Sequence, residues 1–310
     1  MPKIICVVGP TASGKTALAV ELAKEYDGEV ISCDSMQIYK RMDIGTAKPT
    51  AQEMQGIPHH MIDIIEPNED FSVSKYCQMA TPILDDVLSR GKTAIICGGT
   101  GLYAEALIRG NDFAPTPSTG VREKLEQRWQ AEGIEVLTEE LRAVDPEAVD
   151  RSQGNPRRII RALEVWLETG ETITAHNLRT QAIAPKYDAL WMAIDFTNRQ
   201  DLYDRIDLRV ELMVKEGLLH EIRSLLAEGI PEKSTALQAI GYKEFVDAMA
   251  GRGTVEEAIA SVQLSSRRYA KRQLTWFRRN PQMHWLHRDS RTAPEEILSQ
   301  ARQILNQFDK

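Results

Sequence analysis

Apolar residues follow two rhythms along the chain. Short, nearly unbroken apolar runs at 3–8, 29–33, 93–97 and 189–195 read as strands buried on both faces. Between them apolar positions recur every three or four residues, the helical rhythm. This alternation predicts an α/β fold with a doubly wound parallel sheet. From 121 to about 181 the pattern is wholly helical. Within it Asn155 is a helix cap, Pro156 takes the first helical position and Gly170 closes the helix. A Pro-, Ser-, Thr- and Gly-rich break at 111–120 precedes this stretch, and the strand pattern resumes at Leu190. The predicted organisation is a core in two parts, 1–115 and 187–310, around an all-helical insertion at 116–186. Long amphipathic helices are expected at 201–228, 255–279 and 294–307.

The turn after the first strand carries the chemistry. Gly9-Pro10-Thr11-Ala12-Ser13-Gly14-Lys15-Thr16 matches G-x-x-x-x-G-K-[ST], and a helical run follows at once. Strand, glycine loop and helix are the context of a phosphate-binding P-loop, so the core is expected to be P-loop NTPase-like. Successive backbone N–H groups and a helix N-terminus face one anionic cavity there. Lys15 adds a point charge, and the Thr16 hydroxyl can ligate Mg²⁺. A di- or triphosphate is the expected ligand.

Composition narrows the picture. The 310 residues are 42% hydrophobic, enough for a sizeable core. No run approaches the ~20 apolar residues of a membrane span, and the N-terminus lacks a signal-peptide pattern, so a cytoplasmic protein is expected. Cys6, Cys33, Cys77 and Cys97 are scattered and read as reduced thiols. The net charge of −7 conceals an asymmetry, because 258–288 holds no Asp or Glu but has Arg267, Arg268, Lys271, Arg272, Arg278, Arg279 and Arg288. On a helix, Ala270, Leu274 and Phe277 share one face and six of these cations form the neighbouring stripe. The stripe suits a polyanion, or else pairs with acidic helices elsewhere. A second basic cluster, Arg151, Arg157, Arg158 and Arg161, flanks Asn155. Two basic patches bracketing a phosphate site point to RNA.

Asp34 ends the second strand, where ligands of open α/β sheets sit, and can serve there as a base or a hydrogen-bond acceptor. Gln37 has an amide able to pair with a base edge. The third strand ends in Gly98-Gly99-Thr100-Gly101, where an ATPase would be expected to carry a Walker-B acid for Mg²⁺. Its absence argues against ordinary ATP hydrolysis. Adjacent His59 and His60 would point to opposite faces of a strand and are not expected to share a metal.

Together these motifs resemble the bacterial tRNA dimethylallyltransferase (isopentenyltransferase) family. The matching stretches are GPTASGKTALA (9–19), ISCDSMQIY (31–39), DIGTAKP (43–49), PHHMID (58–63), GGTGLY (98–103), NPRRIIRALEVWLETG (155–170), IGYKEF (240–245) and RRYAKRQLTWFRR (267–279). The resemblance implies transfer of a dimethylallyl group from dimethylallyl diphosphate to N6 of adenosine 37, beside the tRNA anticodon. By it, the P-loop holds the leaving diphosphate with Mg²⁺ near Thr16, and Arg209 supplies a second cation. Asp34 accepts from the adenine amine, and Thr100 lines the channel. Ser35, Met36 and Gln37 meet the extruded base. Arg122, Arg158, Ile159, Ile160, Arg161, Arg268, Lys271 and Arg272 grip the anticodon stem-loop. No apolar interface helix stands out in the sequence, so a monomer without membrane attachment is expected. An adenylate isopentenyltransferase, a P-loop small-molecule kinase and a non-catalytic RNA-binding module are the alternatives.

Overall fold

The computed structural model describes residues 3–111 and 119–308. The chain divides into two compact units, Met1–Gly110 with Lys186–Lys310, and Asn111–Pro185. The expected boundary at 115/116 and most of the Pro-rich break lie outside the described residues.

The first unit is built on β1 (Ile4–Val8), β2 (Gly28–Ser32), β3 (His59–His60), β4 (Thr93–Gly98), β5 (Leu190–Phe196) and β6 (Met283–Arg288). They form one sheet in the order β3-β2-β4-β1-β5-β6, and every pairing is parallel. Four of these strands lie on the four apolar runs of the sequence. The short edge strand β3 and the far strand β6 were not among them. In β6 two histidines and an arginine break the apolar run, and pairing with β5 supplies the order instead.

Helices α1 (Lys15–Glu25), α2 (Ala51–Met54), α3 (Val73–Ser89) and α4 (Gly101–Arg109) belong to this unit. The second unit consists of α5 (Val121–Glu132), α6 (Ile134–Val144), α7 (Pro146–Ser152), α8 (Pro156–Thr169) and α9 (Ile173–Ala182). Back in the first unit are α10 (Arg199–Lys215), α11 (Leu218–Ala227), α12 (Lys243–Met249), α13 (Val255–Phe277) and α14 (Pro294–Leu305). The single helix expected at 201–228 is two, because Gly217 takes a left-handed conformation (φ +106°) that ends one and starts the next. As expected, Asn155 caps α8, accepting from the Arg157 N–H at 3.0 Å, and Gly170 closes it.

Burial fixes the layers of the first unit. Leu18 and Leu22 of α1 and Ile297, Ala301 and Leu305 of α14 cover one sheet face. A separate core joins Ile38, Tyr39 and Met42 to α10, α11, α12 and α13. A smaller one links Ala12 of the loop after β1 to Ile206 of α10 and Ala270 and Leu274 of α13. All four cysteines are buried and free. His59 and His60 do not face one ion. The His59 ring bonds the Ile57 carbonyl at 2.8 Å, and His60 bonds Glu29 at 2.9 Å.

Candidate active site

The loop after β1 is held open from outside. The Arg205 Nε donates to the Ala12 carbonyl at 3.0 Å, and an Arg288 Nη donates to the Ser13 carbonyl at 2.9 Å. Lys15 Nζ reaches the Pro10 carbonyl at 3.3 Å, and an Arg209 Nη reaches the Thr11 hydroxyl at 3.4 Å. The Thr11 N–H donates to Gln273 Oε1 at 3.0 Å. Ala12 adopts a left-handed conformation (φ 61°), uncommon for a residue with a Cβ. Two guanidinium groups thus take up loop carbonyls, and successive loop N–H groups are what an anion nest uses. Helix α1 starts at this loop with no side-chain cap, so its N-terminal amides are left to a ligand.

Asp34 follows β2. Its Oδ1 accepts from the Met36 N–H at 2.9 Å, which fixes a tight turn after the strand. Its charge reaches both loop cations. Burial lowers the pKa of Lys15 and of Arg209, and in both the Asp34 carboxylate pulls it back up. One carboxylate and two cations from three separate elements therefore act on one another at the carboxyl end of the sheet. Sequence reading named all three.

Thr100, between β4 and α4, is the fourth member. Its Oγ1 accepts from the Ser35 N–H at 3.1 Å and lies 3.3 Å from the Ser35 hydroxyl. It is also hydrogen-bonded to Tyr269 of α13, whose hydroxyl burial pushes up to about 12. The glycines around Thr100 make room for α13. A Cβ at Gly99 would fall 2.1 Å from Gln273 Nε2, and one at Gly101 would fall 2.2 Å from the Trp276 ring. Gln273 bridges the two loops, donating to the Gly99 carbonyl at 2.9 Å while accepting from Thr11. Tyr269 and Gln273 were missed as individual residues. The available signal was two polar side chains near the apolar face of an otherwise cationic helix.

Gln37 departs from its expected part. Its amide donates to the Thr46 and Ala47 carbonyls at 3.4 and 3.1 Å, and its Oε1 accepts from the Ser32 hydroxyl at 3.2 Å. The amide holds its own chain, so reading a base edge requires it to exchange these bonds. Ser35 and Met36 sit in the Asp34 turn, half-buried.

The basic helix is less open than its sequence suggests. Arg267 pairs with Asp207 of α10 at 2.5 Å, and Arg278 pairs with Asp195 of β5 at 2.8 Å. Acids distant in sequence thus neutralise two of the six cations. Arg272 and Arg279 lie over Tyr269 and Trp276 at 5.5 and 5.4 Å, and Arg268, Lys271, Arg272 and Arg279 have no ion pair among the described residues.

Within the helical unit Arg122, Arg151 and Arg161 are paired with acids too. Arg122 donates to Glu164 at 3.1 and 2.7 Å, and Arg161 does so at 2.8 Å. Burial opposes the Glu164 charge, but the two guanidinium groups hold its carboxyl below the usual range. Arg151 pairs with Glu147, and Arg158 donates to the Arg151 carbonyl at 3.1 Å. Ile159 and Ile160, expected as contacts, are core residues only 1% and 3% exposed, packed with Leu125, Leu137 and Leu141. On α8 the burial pattern, rather than the motif, decides which side chains can meet a partner.

Mg²⁺ at Thr16 is compatible with the chain's donors. Among the described residues no three His, Cys, Asp or Glu side chains cluster to cage a metal, and the Thr16 hydroxyl makes no hydrogen bond. A lone hydroxyl beside a phosphate cradle suits an ion that keeps waters and takes its other ligands from phosphate oxygens.

Arg288 gives a direct test of the outer brace. Its loss removes a charged hydrogen bond to the loop, worth about 1.5–3 kcal/mol. Arg288→Met is expected to weaken binding of inorganic diphosphate about tenfold or more, measured by titration calorimetry. Unchanged affinity would show that the loop holds its shape without it.

The fold and site define a P-loop protein in which a carboxylate, Asp34, acts on the cations of the phosphate cradle, and β4 closes in Gly98-Gly99-Thr100-Gly101 where a Walker-B acid would stand. Residues 37–280 match the IPP transferase family and residues 2–66 match isopentenyl transferase. The tRNA dimethylallyltransferase of Thermoanaerobacter sp. (strain X514) is 46% identical over 298 residues, 95% of each chain. The crystal structure of the full-length tRNA isopentenylpyrophosphate transferase from Bacillus halodurans is 40% identical, covers 100% of this chain and 97% of its own, and superposes with a TM-score of 0.75. A eukaryotic dimethylallyltransferase acting on tRNA is 29% identical and covers 99% of this chain and 79% of its own, with a TM-score of 0.86. The chain belongs to the tRNA dimethylallyltransferase (IPP transferase) family.

Proposed function

We propose that this protein transfers a dimethylallyl group from dimethylallyl diphosphate to N6 of adenosine 37 beside the tRNA anticodon, releasing diphosphate. The observation that carries the reading is the convergence of Lys15, Arg209 and Asp34 at the P-loop, with Thr100 beside Ser35. An exocyclic amine is a weak nucleophile, whereas the allylic carbon is activated because departure of diphosphate leaves a delocalised cation. The N6–C bond forms as the C–O bond breaks. Charge grows on the leaving oxygen, and the loop amides, Lys15 and Arg209 stabilise it. Asp34 accepts the proton that N6 loses. Thr100, fixed by Ser35 and Tyr269, positions the amine. Mg²⁺ held by Thr16 and the diphosphate would add positive charge at the leaving group.

The anticodon loop suits this site, since a loosely stacked base costs only a few kcal/mol to extrude. Arg268, Lys271 and Arg272 supply the tRNA grip, with Arg158 of the helical unit. Among the described residues no helix is long and apolar enough to cross a membrane.

The deciding experiment incubates the protein with dimethylallyl diphosphate, Mg²⁺ and unmodified tRNA, then digests and weighs the nucleosides. A C5 addition on one adenosine is expected. Phosphoryl transfer from ATP to any acceptor would restore the kinase reading.

The paired and unpaired cations of α13 give a second test. Binding of tRNA should weaken steeply with salt, with a log–log slope of about −0.7 to −0.9 per phosphate contact. Replacing Arg268 and Arg272 by Gln is expected to flatten that slope by about one to two units. Replacing Arg267 and Arg278, which hold Asp207 and Asp195, should change it less. Filter binding across a salt series reads both.

A further inference from the structure

We infer that Glu221 is a positioning residue for the acceptor side of the site: an internal anion that fixes the turn at 43–47 and, through Gln37, the Asp34 turn. The inference rests on the transfer reading above.

Glu221 lies in the first turn of α11. Three consecutive backbone N–H groups point at its carboxylate. Asp43 and Ile44 donate to Oε2 at 2.8 and 2.7 Å, and Gly45 donates to Oε1 at 3.2 Å. The Tyr242 hydroxyl is a fourth donor, 2.6 Å from Oε1. Successive N–H groups converging on one point form an anion-binding concavity, and here the chain supplies the anion itself. Hydrogen bonds to an ionised acceptor are roughly twice as strong as neutral ones, so a carboxylate holds this turn as an amide would not. Tyr242 is fully buried, and a Cβ at Gly45 would fall 2.4 Å from its ring. Gly45 and Tyr242 are thus matched to each other across Glu221.

The far side of the same turn faces the site. The Thr46 and Ala47 carbonyls take both N–H groups of the Gln37 amide. Gln37 Oε1 accepts from the Ser32 hydroxyl at 3.2 Å, and that hydroxyl accepts from the Asp34 N–H at 3.3 Å. A continuous hydrogen-bonded path therefore runs from Glu221 through the turn, Gln37 and Ser32 to the backbone of Asp34. The P-loop is braced by other residues, Arg205, Arg288 and Gln273. Loosening Glu221 should disturb the acceptor side and spare the donor side.

The test uses the full chain with dimethylallyl diphosphate, Mg²⁺ and tRNA. Glu221→Gln is expected to lower kcat/KM for tRNA at least tenfold while the affinity for inorganic diphosphate stays within twofold. Tyr242→Phe, which removes one donor and keeps the ring, should move the same parameter two- to threefold. In a Gln37→Met background, Glu221→Gln should change kcat/KM less than threefold, because the path is already cut. Amide hydrogen exchange gives a reading independent of turnover: Glu221→Gln should speed exchange across 32–47 and leave 9–18 unchanged. Parallel loss of diphosphate affinity, or multiplicative effects of the Glu221 and Gln37 variants, would overturn the inference. So would faster exchange confined to 43–45. If the unaltered protein transfers nothing, the functional reading fails, and the exchange pattern still decides the path.

Discussion

Asp34→Ala is expected to lower the single-turnover transfer rate by about 10²–10⁴, the range for losing a positioned base. The carboxylate has two separable duties. Its Oδ1 holds the turn through the Met36 N–H at 2.9 Å, and its charge supports Lys15 and Arg209. Asp34→Asn separates them, since the amide oxygen can still accept from Met36 but cannot take a proton. Asn should therefore be nearly as slow as Ala, with tRNA affinity closer to that of the unaltered protein. Rapid-quench measurement with labelled donor checks this. A near-normal rate in the Asn variant would leave Asp34 only the turn.

Lys15→Ala should cost about 10²–10³ in the chemical step, comparable to removing one donor from a preorganised oxyanion site. The half-buried ammonium is expensive to hold there, and its pKa is lowered by burial. That cost is recovered where negative charge appears on the leaving oxygen, so the loss should fall on the chemical step and not on tRNA binding. Transfer should proceed with dimethylallyl diphosphate alone and gain nothing from ATP. Single-turnover rates with the diphosphate alone, with ATP alone and with both separate the cases, and an absolute ATP requirement would sink the prenyl-transfer mechanism.

Much of this arrangement is written in local sequence. The P-loop is legible because its spacing is contiguous and its flanking strand and helix confirm it. Asp34 and Thr100 are legible because the carboxyl ends of parallel strands face the ligand in any open α/β sheet. Strands β1, β2, β4 and β5 show as apolar runs because both their faces are buried. The capped helix α8 shows because Asn155, Pro156 and Gly170 act within a few residues of it.

What the sequence could not show depends on partners far away along the chain. Arg288 looks like one more cation after a basic helix, and only parallel pairing of β6 with β5 brings it to the Ser13 carbonyl. Arg267 and Arg278 look unopposed until Asp207 and Asp195 come within 2.5 and 2.8 Å of them. Ile159 and Ile160 belong to a motif, yet their helix face turns them into a core. The glycines Gly99 and Gly101 are visible in the sequence, but only the fold shows that Gln273 and Trp276 of α13 fill the space beside them. Sequence determined which groups stand at strand ends and helix starts, because chain geometry alone sets those positions. Tertiary structure decided which charges remain open and which side chains brace the loops, because ion pairing and packing are settled by residues that meet only when the chain has folded.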